Sequence, residues 1–282
     1  MPVIGDIRDQ LGDLQTMQFI STAFTEASAL KIKNIRAQFE RNMNFYEEIS
    51  NLYHLLKVSA TSLNLKHLNS KKGESEKLST LSVAVTSNMR FYGSLNVDTM
   101  TEYIKQIKTY ETECLVCGQT GIDYMSAAGF KGSFEKIVFA RDVPTNDEVA
   151  QVLEHTKKYE RVFVYYPKFV TILSQTIGRT DITQSAPTES INDQDLISFI
   201  FEPELTKIID FFEIQVRSLL FRRVMLEAEL SRTAARLLVM SSAEERADTG
   251  VKEKRMELGK ALRTLKNIQL LETFSGMSKW KK

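Results

Sequence analysis

Two long runs without proline limit what this chain can fold into. From Val3 to about Lys57 the only glycines are Gly5 and Gly12, and from Glu204 to Lys279 only Gly250, Gly259 and Gly276 occur. Helices in globular cores average about three or four turns, so both runs are predicted to form arms rather than members of one core. At about 1.5 Å per residue the first reaches roughly 80 Å and the second roughly 100 Å. In the first, Ile4, Ile7, Leu11, Leu14, Met17, Ile20, Phe24, Ala27 and Leu30 recur at steps of three and four, as in a helix seam. In the second, Val251, Leu258, Leu262, Leu265, Ile268 and Phe274 form a comparable stripe. Ala234, Ala235, Leu238, Ala243 and Ala247 add a small-residue stretch that permits close approach. Laying the two ends antiparallel buries both seams at once.

The rest of the composition removes several functions. With 43% hydrophobic residues in 282, the chain has material for a real core. A net charge of +1 gives no basic excess, so nucleic acid is not an expected partner. No apolar stretch is long enough to span a bilayer. The opening residues, with Asp6, Asp9, Asp13 and the single basic Arg8, resemble neither a secretory signal nor a transit peptide. No direct membrane insertion is expected. Cys114 and Cys117 sit in Glu113-Cys-Leu-Val-Cys-Gly118, which reads as a buried strand, where positions three apart face opposite ways. Two core thiols are expected, neither a redox pair nor a zinc site, since His54, His67 and His155 are scattered singly.

Between the arms the pattern changes. Asn69 to Lys77 reads as a loop and Leu78 to Thr86 as a strand. Asn96 to Tyr110 reads as a helix, Cys114 to Cys117 as a strand, Gly121 to Phe130 as a short helix and Phe134 to Phe139 as a strand. Thr145, with Glu148 three residues on, is a capping box that opens a helix. Arg161 to Tyr166 and Phe169 to Gln175 are β-rich, and Ile177 to Asp195 reads as a loop or hairpin. Strands alternating with helices predict a largely parallel sheet. The expected class is α/β: a long antiparallel two-helix coiled coil from the terminal segments, with a central, Rossmann-like α/β foot. The boundaries fall at 1–68, 69–203 and 204–282. Neither a Gly-x-Gly-x-x-Gly nor a Gly-x-x-x-x-Gly-Lys-Ser/Thr loop occurs, and no nucleophile and base stand in a supporting context. No catalytic residue, cofactor or metal is expected.

Several motifs resemble the gamma subunit family of the F-type ATP synthases. Its first helix has an Ile-Arg start, an Ile-Thr-Lys-Ala-Met and an Ala-Lys-Leu-Arg-Arg-Ala; here stand Ile7-Arg8, Ile20-Ser-Thr-Ala23-Phe24 and Ala29-Leu-Lys31-Ile-Lys33. Of the family's Ser-Asp-Arg-Gly-Leu-Cys-Gly-Gly-Leu-Asn, Ser87, Gly93, Leu95 and Asn96 keep their places. The family's Ser-Glu-x-Ala-Ala-Arg-Met-x-Ala-Met matches Ser231-Arg-Thr-Ala234-Ala235-Arg236-Leu-Leu-Val-Met240. Its closing motif falls, without a gap, on Gly259-Lys260 through Leu270-Leu271-Glu272 to Gly276. The departures are specific. Most basic residues before Leu30 are gone, the glycine-rich loop has become Met89-Arg-Phe-Tyr92, and Leu262, Arg263, Asn267 and Gln269 replace the Arg-Gln, Thr and Glu of the closing motif.

The resemblance implies a rotor shaft that does no bond chemistry and couples rotation to conformational cycling of catalytic subunits. The implied partners are α- and β-type subunits of a catalytic ring, an epsilon-type subunit and a membrane rotor ring. The implied location is peripheral, on the cytoplasmic face of a bacterial inner membrane. Arg8, Lys31, Arg236, Lys260 and Glu272 are the implied contact residues. A rotor of a specialised F-type-like ATPase with another output, or a structural coiled-coil adaptor, are the alternatives that long amphipathic arms leave open.

Overall fold

The computed structural model describes residues 4–62, 78–130, 132–141, 143–183 and 205–279. The expected loop at 69–77 lies outside them, as does the expected 177–195 loop beyond residue 183. Two helices dominate: α1 (Ile4–Ser62, 59 residues) and α5 (Leu205–Lys279, 75 residues). Between them in sequence come β1 (Leu78–Val85), α2 (Leu95–Thr109), β2 (Glu113–Cys117), α3 (Gln119–Ala127), β3 (Glu135–Ile137), α4 (Asn146–Thr156), β4 (Tyr159–Phe169) and β5 (Gln175–Asp181). The chain divides into two compact units, Met1–Leu30 with Arg236–Lys282, and Lys31–Ala235.

In the Lys31–Ala235 unit the sheet order is β3-β2-β1-β4-β5, all neighbours parallel except the antiparallel β4–β5 pair. Alternation along the strands supplies two cores. Leu81, Val83 and Val85 of β1 join Val162, Val164 and Tyr166 of β4 in one core with Tyr46 and Tyr53 of α1, α4, and Phe221 and Val224 of α5. Ala84, Val116 and Tyr165 face the other way, onto Met100 and Tyr103 of α2 and Ile122 and Met125 of α3. Cys117 belongs to the first core, whereas Cys114 lies beside Tyr103, on the opposite face. The expected capping box is present: Glu148 N donates to Thr145 Oγ1 and Thr145 N to Glu148 Oε2. The backbone N–H of Ala140, donating to Glu148 Oε1, and that of Thr145, donating to Oε2, hold the Glu148 carboxyl below its ordinary range.

One strand differs from expectation. The β-rich run after Phe169 is a turn, closed by Thr171 N donating to Ser174 O, and β5 occupies Gln175–Asp181, where the loop was expected to begin at Ile177. An edge strand with mostly polar, partly exposed side chains carries no apolar alternation, so nothing in its sequence marks it.

In the other unit the two ends pair antiparallel. Thr22 donates to Glu244 and Gln18 to Asp248, while Leu14 packs against Gly250. The face of α1 turned inward is Ile7, Leu11, Leu14, Gln18, Ser21, Thr25 and Ser28, alternating steps of four and three; on α5 it is Met240, Glu244, Ala247, Val251, Lys254, Leu258 and Ala261. That corrects the expected stripe. Ile4, Ile7, Leu11 and Leu14 lie on the seam, but Met17 (56% exposed), Ile20 (47%) and Leu30 (69%) point outward. The expected stripe advances by about 3.25 residues per step, short of the 3.5 that keeps a helix facing one partner, so it drifts off the seam.

Candidate functional site: the bare end of the paired helices

In the register set by Thr22–Glu244 and Gln18–Asp248, Ile4 at the start of α1 lies level with Leu262. Beyond that point α5 has no described partner, and every residue from Arg263 to Met277 is exposed. The segment to Lys279 extends about 25 Å at 1.5 Å per residue. No proline or cap interrupts it, so the helix continues without tertiary support.

Its apolar side chains are Leu265, Ile268, Leu270, Leu271, Phe274 and Met277, between 42% and 68% exposed. Each helical residue advances about 100°, so these positions, with Leu262, fall on every side of the helix. A helix apolar on one stripe suits a single flanking partner. One that is apolar all round is built to be enclosed. Arg263, Lys266 and Glu272 are its only charged residues before Lys279. The second expected stripe therefore splits, with Val251, Leu258 and Leu262 on the seam and Leu265, Ile268 and Phe274 on the bare end.

Of the five implied contact residues, Arg8, Lys260 and Glu272 are exposed on the outside of this unit. Arg236 is half-buried, with its guanidinium 5.9 Å from the centroid of the Phe24 ring. Lys31, in the Lys31–Ala235 unit, pairs with Glu229, whose other oxygen accepts a 3.2 Å bond from Arg232. Glu229 and Arg232 are both fully buried, a pairing that sequence reading missed because charged residues on a long helix pass for a solvated face. Its only signal was Arg232 standing where the resembled motif carries glutamate.

In the loop after β1 the backbone and amide groups are engaged with one another. The N–H at the start of α3, on Gln119, already donates to Asn88 Oδ1, and Asn88 Nδ2 donates to Phe139 O. Phe91 takes a left-handed φ of 70° with its ring exposed, a conformation that bulky residues adopt only under constraint. Gly118 (φ 100°) is required where it stands, because a Cβ there would lie 2.6 Å from Thr86 O. Among the described residues no three His, Cys, Asp or Glu side chains gather to hold a metal, and no described helix is long and apolar enough to cross a membrane.

The comparisons agree with this geometry. A family model described as ATP synthase matches residues 4–278. An ATP synthase gamma chain of Ruthia magnifica is 23% identical over 282 residues, covering 96% of this chain and 97% of that one. The ATP synthase gamma chain of Staphylococcus saprophyticus is 21% identical, covering 98% of each. In fold, the chain is similar to a component of the central stalk and c-ring structure of the Tetrahymena thermophila mitochondrial ATP synthase, with a TM-score of 0.57 at 20% identity, over 79% of this chain and 99% of that one. With the match running nearly end to end, the chain belongs to the gamma-chain family of the ATP synthases.

Proposed function

We propose that this chain is the central shaft of a rotary ATP synthase or ATPase, coupling rotation to the conformational cycle of a surrounding catalytic ring. The observation that carries the reading is the bare end of α5, with exposed apolar side chains distributed around the helix from Leu265 to Met277, which suits an enclosing sleeve rather than one flanking helix. Exposed Met17, Phe19 and Ile20 on α1 add apolar surface to the paired helices. A two-helix shaft inside a threefold ring presents a different face to each catalytic subunit. Contacts that favour one subunit conformation over another bias nucleotide affinity, and turning the shaft exchanges those biases.

In this reading the chain does no bond chemistry and holds no cofactor. The filled loop after β1 and the side-chain partner on the Gln119 N–H support that. Arg8, Lys260 and Glu272 face the ring, whereas Lys31 and Arg236 hold the shaft's own helices. The parts are an N-terminal segment (1–68), a foot (69–203) that meets an epsilon-type subunit and a membrane rotor ring, and a C-terminal segment (204–282). The chain sits peripherally, on the cytoplasmic face of a bacterial inner membrane; the bacterial gamma chains among its relatives favour that location.

The test is a cysteine at Gln269, exposed on the bare end, oxidised to a cysteine on the facing ring subunit. ATP hydrolysis by the complex should stop when the disulfide forms and return on reduction. Full turnover in the crosslinked complex would show a static tether instead.

A further inference from the structure

In the Lys31–Ala235 unit, α1 and α5 run antiparallel, with Lys31 paired to Glu229 and the stretch from Gln38 to Phe45 lying beside Leu219 to Leu226. A groove of about 590 Å³ opens along these two turns and is closed on one side by the start of α4. Its floor is apolar, from Leu219, Met225 and Leu226, with one exception. Asn42, only 9% exposed, also lines it, and its Oδ1 has no hydrogen-bond partner. A buried amide oxygen is costly to leave unmatched, so this one marks a place where a donor from outside belongs.

The rim is basic. Arg41 and Arg222 are both exposed, Arg222 steadied by donating to Asn146 Oδ1, and among the described residues no carboxylate lines the groove. Phe45, 52% exposed, completes the rim on α1. An apolar floor between two guanidiniums, running along two helical turns, has the form of a helix-in-groove site. Its charge calls for carboxylates at the edges of the incoming segment.

We infer that this groove docks an acidic amphipathic helix of a partner protein, its apolar face on Leu219, Met225 and Leu226 and its carboxylates on Arg41 and Arg222. A polar side chain or terminal N–H of that helix donates to Asn42. The site is separate from the bare end of α5, and the inference does not rest on the shaft reading.

The experiment places the photocrosslinker p-benzoylphenylalanine at Phe45 of the full chain, expressed in cells together with its native partners. The expected adduct maps to a partner segment with Asp or Glu within one turn of the linked residue. Combining Arg41→Glu with Arg222→Glu should cut the yield at least tenfold, and exchanging the partner's acidic residue for lysine should restore it. Asn42→Leu should leave the thermal midpoint of the chain equal or higher while lowering the yield at least threefold. The inference is overturned by an adduct only to a second copy of this chain, by one to a segment without acidic residues, or by no intermolecular adduct. A yield indifferent to the Asn42 or arginine changes would overturn it equally.

Discussion

Thr22 of α1 donates a 2.7 Å hydrogen bond to Glu244 Oε1 of α5, at a level of the paired helices where apolar contact is scarce. Around it Gln18, Ser21, Thr25 and Ser28 occupy the seam positions of α1. This middle stretch is thus held by modest polar terms, each worth about 0.5–1.5 kcal/mol, rather than by leucines. Thr25 Oγ1 is buried and has no partner among the described residues. Thr25→Val, which keeps the shape and removes the orphaned hydroxyl, should stabilise the pairing by about 1 kcal/mol. Thr22→Val should weaken it by a similar amount. Amide exchange along α1 reads both, and slower exchange in the Thr22 variant would contradict the assignment.

What the sequence could disclose follows the range of the forces involved. The capping box at Thr145 and Glu148 was legible because both partners lie within one turn, and the strands of the sheet's interior were legible because burial writes itself as alternation. The two long helices were legible from missing proline alone. The polar middle of the seam was not, because Ser21 and Ser28 are buried by a partner more than 200 residues away, and apolar Met17 and Ile20 beside them drew the stripe outward. Nor was the length of the bare end of α5, which depends on the register in which α1 stops, set by polar pairs such as Gln18–Asp248. Arg8, Lys260 and Glu272 stand on exposed helix surface, but the engagement of Lys31 by Glu229 needed the fold.

Glu229 and Arg232 form a buried ion pair in a long helix, reached from α1 by the half-exposed Lys31. Removing one member of such a pair leaves a charge without compensation, whereas replacing both is far less costly. Glu229→Leu should therefore destabilise the chain by about 3–5 kcal/mol, and Glu229→Leu with Arg232→Met should recover most of that. Lys31→Met should cost under about 1 kcal/mol, given its exposure. Urea denaturation of the three variants decides it. Equal losses in the single and double Glu229 variants would rule out the pair as the origin.

Complete burial pushes the Cys117 thiol up to about 12, and burial also raises Cys114. Both thiols should resist iodoacetamide at pH 8 in the native protein and react fully in urea, as peptide mass mapping would report. The linkage has a definite sign. In the unfolded chain the thiol ionises near its ordinary value, but in the fold it stays protonated, so its contribution is intact below that value and is lost as pH rises toward about 12. Stability that increased over that alkaline range would contradict the burial.

Phe274 and Leu271, each 68% exposed, give the isolated chain no packing to lose. Leu271→Ser with Phe274→Ser should change the stability of the isolated chain by no more than about 0.5 kcal/mol. Inside an enclosing ring the same side chains are buried, each worth about 1.5–3 kcal/mol on transfer from water. The double variant should then bind the ring with an affinity lower by about 3 kcal/mol or more, over roughly a hundredfold. Leu14→Ser, on the seam against Gly250, should behave in the opposite way, destabilising the isolated chain because its side chain packs within it. Titrating each variant against purified ring, next to thermal melts of the chain alone, separates the two kinds of contact. Undiminished ring affinity in the Leu271 and Phe274 variant would mean that the apolar end of α5 is not enclosed.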